Sequence, residues 1–436
     1  MPFYTKILSP ADSGIASQVI KSANLIIPIA SIGIATAIIR FGLDKSYNKS
    51  DVFTTGLLAI GIGFTFTLCF LPFISHVPSL QGYIPLLYIF VLASIFRNLC
   101  SQFARAKLYL RLYAFDGILN TIIYVICMIV FLKYFKWGIN GFILATIVAD
   151  IITAIFIFTS ASLHRYIKVT PKLKKTFIKM LKYAIPLIPT TMSWWIINTS
   201  DQYFVFYMCS SSDAGLYNAA YAIPHIVMMV STLFTEAWQL SAVTDGGKEM
   251  RGRKRFYSTV FSNYQSVLFI IATGIIAFSK VAMIILTDKS YYEGWIFIPI
   301  LVIAMVFSCF STFMGSIYIV EKKSLSSLIT LMVGAITNLI LNGLFIPIMG
   351  PIGAAISTVI SFVLVFVVRV IDTRKYLKMN TYPYKLIVNS ILLILQTYIM
   401  LKEPSLWILY VGIILIIIVA LNIQGLWKSV KKLGKK

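Results

Sequence analysis

Seven ionisable residues stand inside apolar runs long enough to cross a bilayer. They are the carboxylates Asp116, Asp150, Asp201 and Glu236 and the cations Lys21, Arg97 and Lys280, while Arg40 closes the end of such a run. A charge at the bilayer centre costs roughly 2.5–3.5 kcal/mol on insertion scales, so each needs a partner or a task. Buried cations can hold an anion such as a phosphate, and buried carboxylates can hold a proton or a small cation. Asp201 is the best-placed carboxylate. Its run carries Pro186 and Pro189 with Asn198 and Thr199 close by, and prolines free backbone carbonyls that only protein or a hydrated cavity can satisfy.

Each of these residues also has a structural reading. Lys21, about 10 Å along its helix from Gly14 by helical rise, and Lys280 can snorkel toward the head groups. Arg97 can form a salt bridge with Asp116 or Asp150, Arg40 can anchor a helix end, and Asp150 can bond between helices. Glu236, in Thr235-Glu-Ala-Trp238, shares a run with His225, which reads as a packing histidine. Trp194 and Trp195 can stack on sugar or on each other. Metal chemistry has no foundation here. The three histidines are dispersed, and the five cysteines (Cys69, Cys100, Cys127, Cys209, Cys309) form no CxxC pair. No cofactor motif is present either.

The elements that must hold these charges are transmembrane helices. The chain is 59% hydrophobic and 12% charged, about half the charged share of a soluble domain. Thirteen apolar segments approach the ~20 residues that a span needs. They run 15–40, 52–74, 83–103, 114–132, 138–159, 183–208, 217–241, 257–286, 295–320, 325–348, 352–368, 386–401 and 406–426. The runs are continuous rather than alternating, which predicts an all-α membrane fold and excludes a barrel.

A net charge of +23 in a soluble protein would point to nucleic acid. Here the basic residues sit in short loops between spans, so they are topology signals and a surface for anionic membrane lipid, with no nucleic-acid partner. One face carries only Lys6, Lys133, Lys136, Lys289 and Lys402, and Lys21, Arg97 and Lys280 lie within spans. All the other Lys and Arg residues fall on the opposite face. The asymmetry predicts a cytoplasmic C-terminal tail (427–436), with Trp137, Trp295 and Trp407 at the outer interface and Trp427 at the inner one.

The chain repeats itself. Leu8-Ser-Pro-Ala-Asp12-Ser-Gly14 resembles Cys209-Ser-Ser-Ser-Asp213-Ala-Gly215, and Gly138-Ile-Asn-Gly141 with Thr146 resembles Gly350-Pro-Ile-Gly353 with Thr358. The expected organisation is an N-terminal lobe (1–159), a basic cytoplasmic linker (160–182), a six-helix C-terminal lobe (183–368) and an additional helix pair (386–426). The second copy has a helix before its Asp-Gly turn and the first does not. The expectation is therefore fourteen helices lacking the first, in two lobes related by a pseudo-two-fold along the membrane normal.

The turn Tyr4–Pro10 with Gly14, and the segment Gly334–Thr358 with Asn338, Asn342, Pro347, Gly350 and Gly353-Ala-Ala-Ile, resemble the polysaccharide (Wzx-type) flippase family. That family belongs to the multidrug/oligosaccharidyl-lipid/polysaccharide exporter superfamily. The resemblance implies a non-enzyme that moves an undecaprenyl-diphosphate-linked oligosaccharide across the bacterial plasma membrane by alternating access. Lys21, Arg40, Arg97 and Lys280 are then candidates for the anionic head group in a cationic cavity. Asp201, Glu236 and Asp150 are candidates for coupling to H+ or Na+. Contacts with a polysaccharide polymerase or with glycosyltransferases are the expected protein partners. A lipid II flippase and an ion-coupled multidrug exporter are the rival transport readings. A membrane enzyme is disfavoured, because the outer loops are short and the inner loops carry neither paired carboxylates nor a Gly-rich phosphate loop.

Overall fold

The computed structural model describes residues 3–244, 250–321 and 323–433, without the side chains of 236–244, 250, 251, 319, 324 and 424–433. Among the described residues there is no strand. The chain divides into two compact units, Phe3–Trp195 and Ile196–Lys436 together with Met1–Pro2. The division falls within one helix.

The first unit contains α1 (Pro10–Ala30), α2 (Ile34–Leu43), α3 (Lys49–Leu68), the short α4 (Leu71–Ile74), α5 (Ile84–Ala106), α6 (Leu110–Met128), α7 (Gly138–Ser160), α8 (Leu173–Ala184) and the start of α9 (Ile188–Met208). The second continues with α10 (Ser211–Tyr221), α11 (His225–Thr244), α12 (Met250–Ala277), α13 (Ser279–Leu286), α14 (Phe297–Val320), α15 (Ser324–Met349), α16 (Pro351–Thr373), α17 (Pro383–Lys402) and α18 (Trp407–Leu433). Ten helices are long and apolar enough to cross a membrane, and the α1–α2 pair makes an eleventh when counted as one bent span. Trp407–Ile423 is apolar but shorter. Ile188–Met208 is helical through the polar stretch Asn198–Gln202. Each of the thirteen segments read from the sequence is thus built on helix.

Several of those segments are broken rather than straight. Segment 15–40 bends by 49° between α1 and α2. Pro28 sits inside α1, while Ile32 (φ 51°) and Gly33 (φ 62°) take left-handed conformations. The Gly33 amide reaches five residues back to the Pro28 carbonyl at 3.0 Å. The ring of Pro28 and the reversed backbone at Gly33 together end the regular ladder. Segment 217–241 is likewise interrupted at Pro224, between α10 and α11.

Corresponding local devices recur in the two units. Ser9 caps α1 by accepting from the Asp12 amide at 3.1 Å and donating to the Asp12 carboxylate at 2.8 Å. Ser210 does the same for α10 with Asp213, at 3.0 and 2.6 Å. This Ser-x-x-acid pattern satisfies orphan donors of the first turn and places a negative charge on the positive end of the helix. Gly138 (φ 52°) opens α7 and Gly350 (φ 60°) opens α16, both in the left-handed region. In each unit three helices then pack side by side: α5, α6 and α7 in the first, α14, α15 and α16 in the second. Close approach is built from small residues. A Cβ added at Gly42 would meet the Ala106 Cβ at 2.6 Å, and one at Gly353 would meet the Phe345 carbonyl oxygen at 2.5 Å. Large aliphatic side chains such as Ile62, Ile118, Ile284 and Ile348 point outward, which suits hydrocarbon and not water.

Candidate substrate and ion sites within the two units

In the first unit, polar residues recur on α5 at Ser94, Arg97/Asn98 and Ser101, one helical face by their spacing of three and four. This face meets Asp116 on α6 and Asp150 on α7. The Arg97 guanidinium bridges both carboxylates, Nη2 to Asp116 Oδ2 at 3.0 Å and Nη1 to Asp150 Oδ1 at 3.4 Å. Ser101 donates to Asp116 at 3.3 Å, Asn120 donates to Asp150 at 3.1 Å, and Ser94 donates to the other Asp150 oxygen. A cavity of about 500 Å³ opens beside the cluster, lined further by Asn24, Asn98, Gln102 and Tyr113. The side chains of Asp116 and Asp150 are 2% and 8% exposed against 24% for Arg97, so the cation is the member that reaches the opening.

The cluster is incompletely satisfied. Asp116 Oδ1, Arg97 Nε and Gln102 Oε1 are buried with no hydrogen-bond partner in the protein. A buried polar atom without a partner costs about 1–3 kcal/mol, so these atoms suit a hydrated or ligand-bearing cavity. With both carboxylates ionised, the three groups sum to one negative charge.

The second unit carries a polar cluster of different chemistry. Asp201 on α9 is fully buried. Its carboxylate accepts from Tyr217 Oη of α10 at 2.8 Å and from Thr358 Oγ1 of α16 at 3.4 Å. Alongside, Ser200 donates to Asn338 Oδ1 at 2.6 Å, Asn342 donates to the same oxygen at 3.1 Å, and Asn338 donates to Thr358 at 3.4 Å. One carboxylate among amide and hydroxyl oxygens is a hard-oxygen donor set suited to a small hard cation or a proton. Among the described residues no three His, Cys, Asp or Glu side chains gather as a metal site.

The remaining candidates are distributed. Lys21 is half-buried on α1, one turn from Asn24 and so on the face that lines the first cavity. Arg40 is exposed at the end of α2 and stacks 4.4 Å from the Tyr183 ring centroid. Lys280, at the start of α13, pairs with Glu403 and lies 4.4 Å from the Trp295 ring and 4.6 Å from the Trp407 ring. Its charge therefore already has an anion and two π faces from the protein. The Glu236 side chain lies outside the described residues. His225 packs against the Tyr221 ring at 5.2 Å.

Sequence reasoning missed Arg369. It is 1% exposed on α16, and it donates to the Ser311 carbonyl of α14 at 2.7 Å and to Thr330 Oγ1 of α15 at 3.1 Å. A Cβ at Gly315 would lie 2.5 Å from its Nη1. Each unit thus has an arginine at its three-helix junction, contributed by α5 in the first and by α16 in the second.

The profile of a family described as "Polysaccharide biosynthesis protein" matches residues 1–239, more than half of the chain. The chain belongs to this family. No curated protein sequence matches it. Several solved structures resemble this polysaccharide biosynthesis family member. A multidrug resistance MATE family transporter of the MOP superfamily, in its inward-facing conformation, has a TM-score of 0.69 at 14% identity, covering 86% of this chain and 93% of that one. The lipid II flippase MurJ, inward closed, gives 0.67 at 16% identity over 97% of this chain and 94% of that one. The outward-facing MATE conformation gives 0.57 at 15% identity, over 85% and 89%. Identities this low bear on the fold alone. This family member is an all-helical, multi-pass membrane protein with the fold of MATE and MurJ transporters, and the family resemblance read from the sequence is borne out.

Proposed function

We propose that the protein translocates an undecaprenyl-diphosphate-linked oligosaccharide, or a comparable anionic lipid-linked glycan, across the bacterial plasma membrane for surface polysaccharide synthesis. The observation that carries this reading is the charged cavity on Arg97 inside membrane-spanning helices of a polysaccharide biosynthesis family member. A diphosphate head group cannot cross hydrocarbon unaided, because an unpaired charge there carries a desolvation penalty of many kcal/mol. A guanidinium at the mouth of a hydrated pocket, with Lys21 one turn from its rim, offers charge-assisted hydrogen bonds in place of water. Arg40, at the end of α2, is a further candidate cation in the first unit, and Lys280 is one in the second once it exchanges Glu403 for the head group. The fold shared with the flippase MurJ supports alternating access, and the cytoplasmic C-terminus follows from the loop charges.

In the same reading Asp201 binds the coupling ion, H+ or Na+, and Asp150 and Glu236 contribute to coupling. The Asp201 oxygens are buried and accept from the Tyr217 and Thr358 hydroxyls, a hard-oxygen setting that suits a small cation or a proton. A second reading has one specific observation in its favour. Arg97 is outnumbered by Asp116 and Asp150, and that balance suits a cationic small molecule, as for an ion-coupled multidrug exporter.

The test is export of lipid-linked oligosaccharide by cells or vesicles carrying Lys21→Gln/Arg97→Gln, with Asp116→Asn added to relieve the carboxylates that Arg97 bridges. Loss of export with normal membrane insertion supports the flippase. Export at the wild-type rate removes both cations from the mechanism, and drug efflux that survives these changes favours the exporter.

A further inference from the structure

A second cavity of the first unit, about 730 Å³, lies apart from the Arg97 site, at the ends of helices and not between their middles. One wall is the α2–α3 loop with Lys45, Tyr47 and Asn48, and the other is the start of α8 with Thr170, Lys172, Lys175 and Lys179. Four lysines line it against one carboxylate, Asp51.

The walls are fixed in place. Thr170 Oγ1 donates to Asp51 Oδ1 at 2.6 Å. Thr54 Oγ1 donates to the Tyr166 and Lys168 carbonyls, both at 3.1 Å, and accepts from the Lys168 amide at 3.0 Å. Lys179 Nζ donates to Tyr47 Oη at 3.3 Å, joining the two walls directly. Another nearby carboxylate, Asp44, is turned to the Ser46 amide at 2.8 Å; that bond and the Ser46 side chain hold its carboxyl below the usual range.

On its own this arrangement is unfavourable. Lys172, Lys175 and Lys179 recur at spacings of three and four, so like charges share one helical face, which destabilises a helix. The adjoining face, Leu173, Thr176, Met180 and Ala184, is buried. The first turn of α8 has no acidic residue and no side-chain cap, so its positive end meets cations where an anion is favoured. The start of α3, whose Asn48 side chain caps the Ser50 amide, lies on the facing wall. A helix start beside converging lysines and a tyrosine hydroxyl is the chemistry of a phosphate site. Its position at the end of α3, a membrane-crossing helix, sets it at head-group depth.

We propose that this pocket binds the phosphate-bearing head group of an anionic membrane lipid, pinning α8 to the α2–α3 loop at the bilayer surface. The assignment does not depend on which substrate the Arg97 site carries.

The test uses the full chain in nanodiscs of phosphatidylcholine alone or with phosphatidylglycerol, and separately with added inorganic pyrophosphate. The readouts are the rate of amine-reagent labelling at Lys172 and Lys175 and the thermal unfolding midpoint. The expected result is several-fold slower labelling and a raised midpoint with phosphatidylglycerol. The midpoint shift is lost in Lys45→Gln/Lys172→Gln/Lys175→Gln/Lys179→Gln and kept in a control with Lys254, Arg255, Arg374 and Lys378 changed to Gln. If the fourfold variant fails to fold, Lys172→Gln/Lys175→Gln replaces it, with the midpoint as readout. Protection by pyrophosphate as well means that the phosphate group itself is recognised, and protection by lipid alone means that the head group must arrive on a bilayer. Unchanged labelling in both arms overturns the proposal, as does an equal loss of the shift in the control, which reduces the effect to general surface charge.

Discussion

Thr273 on α12 and Gln396 on α17 exchange two hydrogen bonds: the threonine hydroxyl donates to the glutamine Oε1 at 2.8 Å, and the glutamine Nε2 donates to the Thr273 carbonyl at 3.2 Å. They are one rung of a ladder. Lys385 reaches the Ser262 carbonyl at 3.2 Å and Ser266 Oγ at 2.5 Å, and Lys280 pairs with Glu403. Ser262 with Lys385, Thr273 with Gln396 and Lys280 with Glu403 share one constant sequence offset, so α12 and α17 run parallel and in register. The additional helix pair, which the repeat left outside both copies, is bonded along the length of α12.

The ladder predicts a non-additive mutational pattern. Gln396→Ala leaves the Thr273 hydroxyl buried without its partner and is expected to cost about 1–3 kcal/mol. Thr273→Val/Gln396→Leu, which removes both partners, is expected to recover most of that loss. Thermal unfolding in detergent of Thr273→Val, Gln396→Leu and the double variant measures the coupling, with Gln396→Ala beside them.

The Arg97 cluster predicts a similar rescue with a larger first step. Arg97→Gln leaves Asp116 and Asp150 facing each other, and breaking a buried pair costs about 3–5 kcal/mol. Adding Asp116→Asn is expected to restore folded yield without restoring export. Size-exclusion yield reports the first effect and lipid-linked oligosaccharide export the second. Arg97→Lys keeps the charge but cannot span both carboxylates with a fork, so it is expected to fold with reduced export.

For Asp201 the expectation concerns energetics of transport. Asp201→Asn preserves an acceptor for Tyr217 and Thr358 while removing the charge, so folding is expected to hold. Export is expected to lose its response to an imposed Na+ or H+ gradient. Vesicle assays with each gradient clamped in turn identify the ion, and an unchanged response in the variant rules Asp201 out.

Gly353 tests close helix packing. A methyl there meets the Phe345 carbonyl at 2.5 Å, and backbone cannot step aside as a side chain can. Gly353→Ala is expected to lower stability by about 1–3 kcal/mol, whereas Gly343→Ala, where a Cβ meets nothing within 4 Å, is expected to be neutral or slightly stabilising. Parallel melting curves decide.

The legible part of the molecule is the part written in local chemistry. Apolar run lengths gave the helices, and the paired Ser-x-x-Asp stretches marked equivalent helix starts because a cap is completed within four residues. Asp201 stood out as a buried carboxylate on a proline-disturbed run. Its partner Thr358 did not, since it lies 157 positions downstream and only the packing of α16 beside α9 brings it near. Arg97 was legible as a buried cation with two possible partners, and the structure gives it both. Arg369 escaped notice because it sits one residue beyond the apolar run 352–368, where a basic residue reads as an anchor. The one local clue was Gly315, and a glycine announces space without saying what fills it.

The matched caps Ser9–Asp12 and Ser210–Asp213 make the duplication a ready instrument. Replacing either serine by alanine removes the same hydroxyl from the same kind of helix start, so the two variants deliver one calibrated perturbation to two different bodies. Whatever difference emerges between them belongs to the different surroundings of the two helix starts.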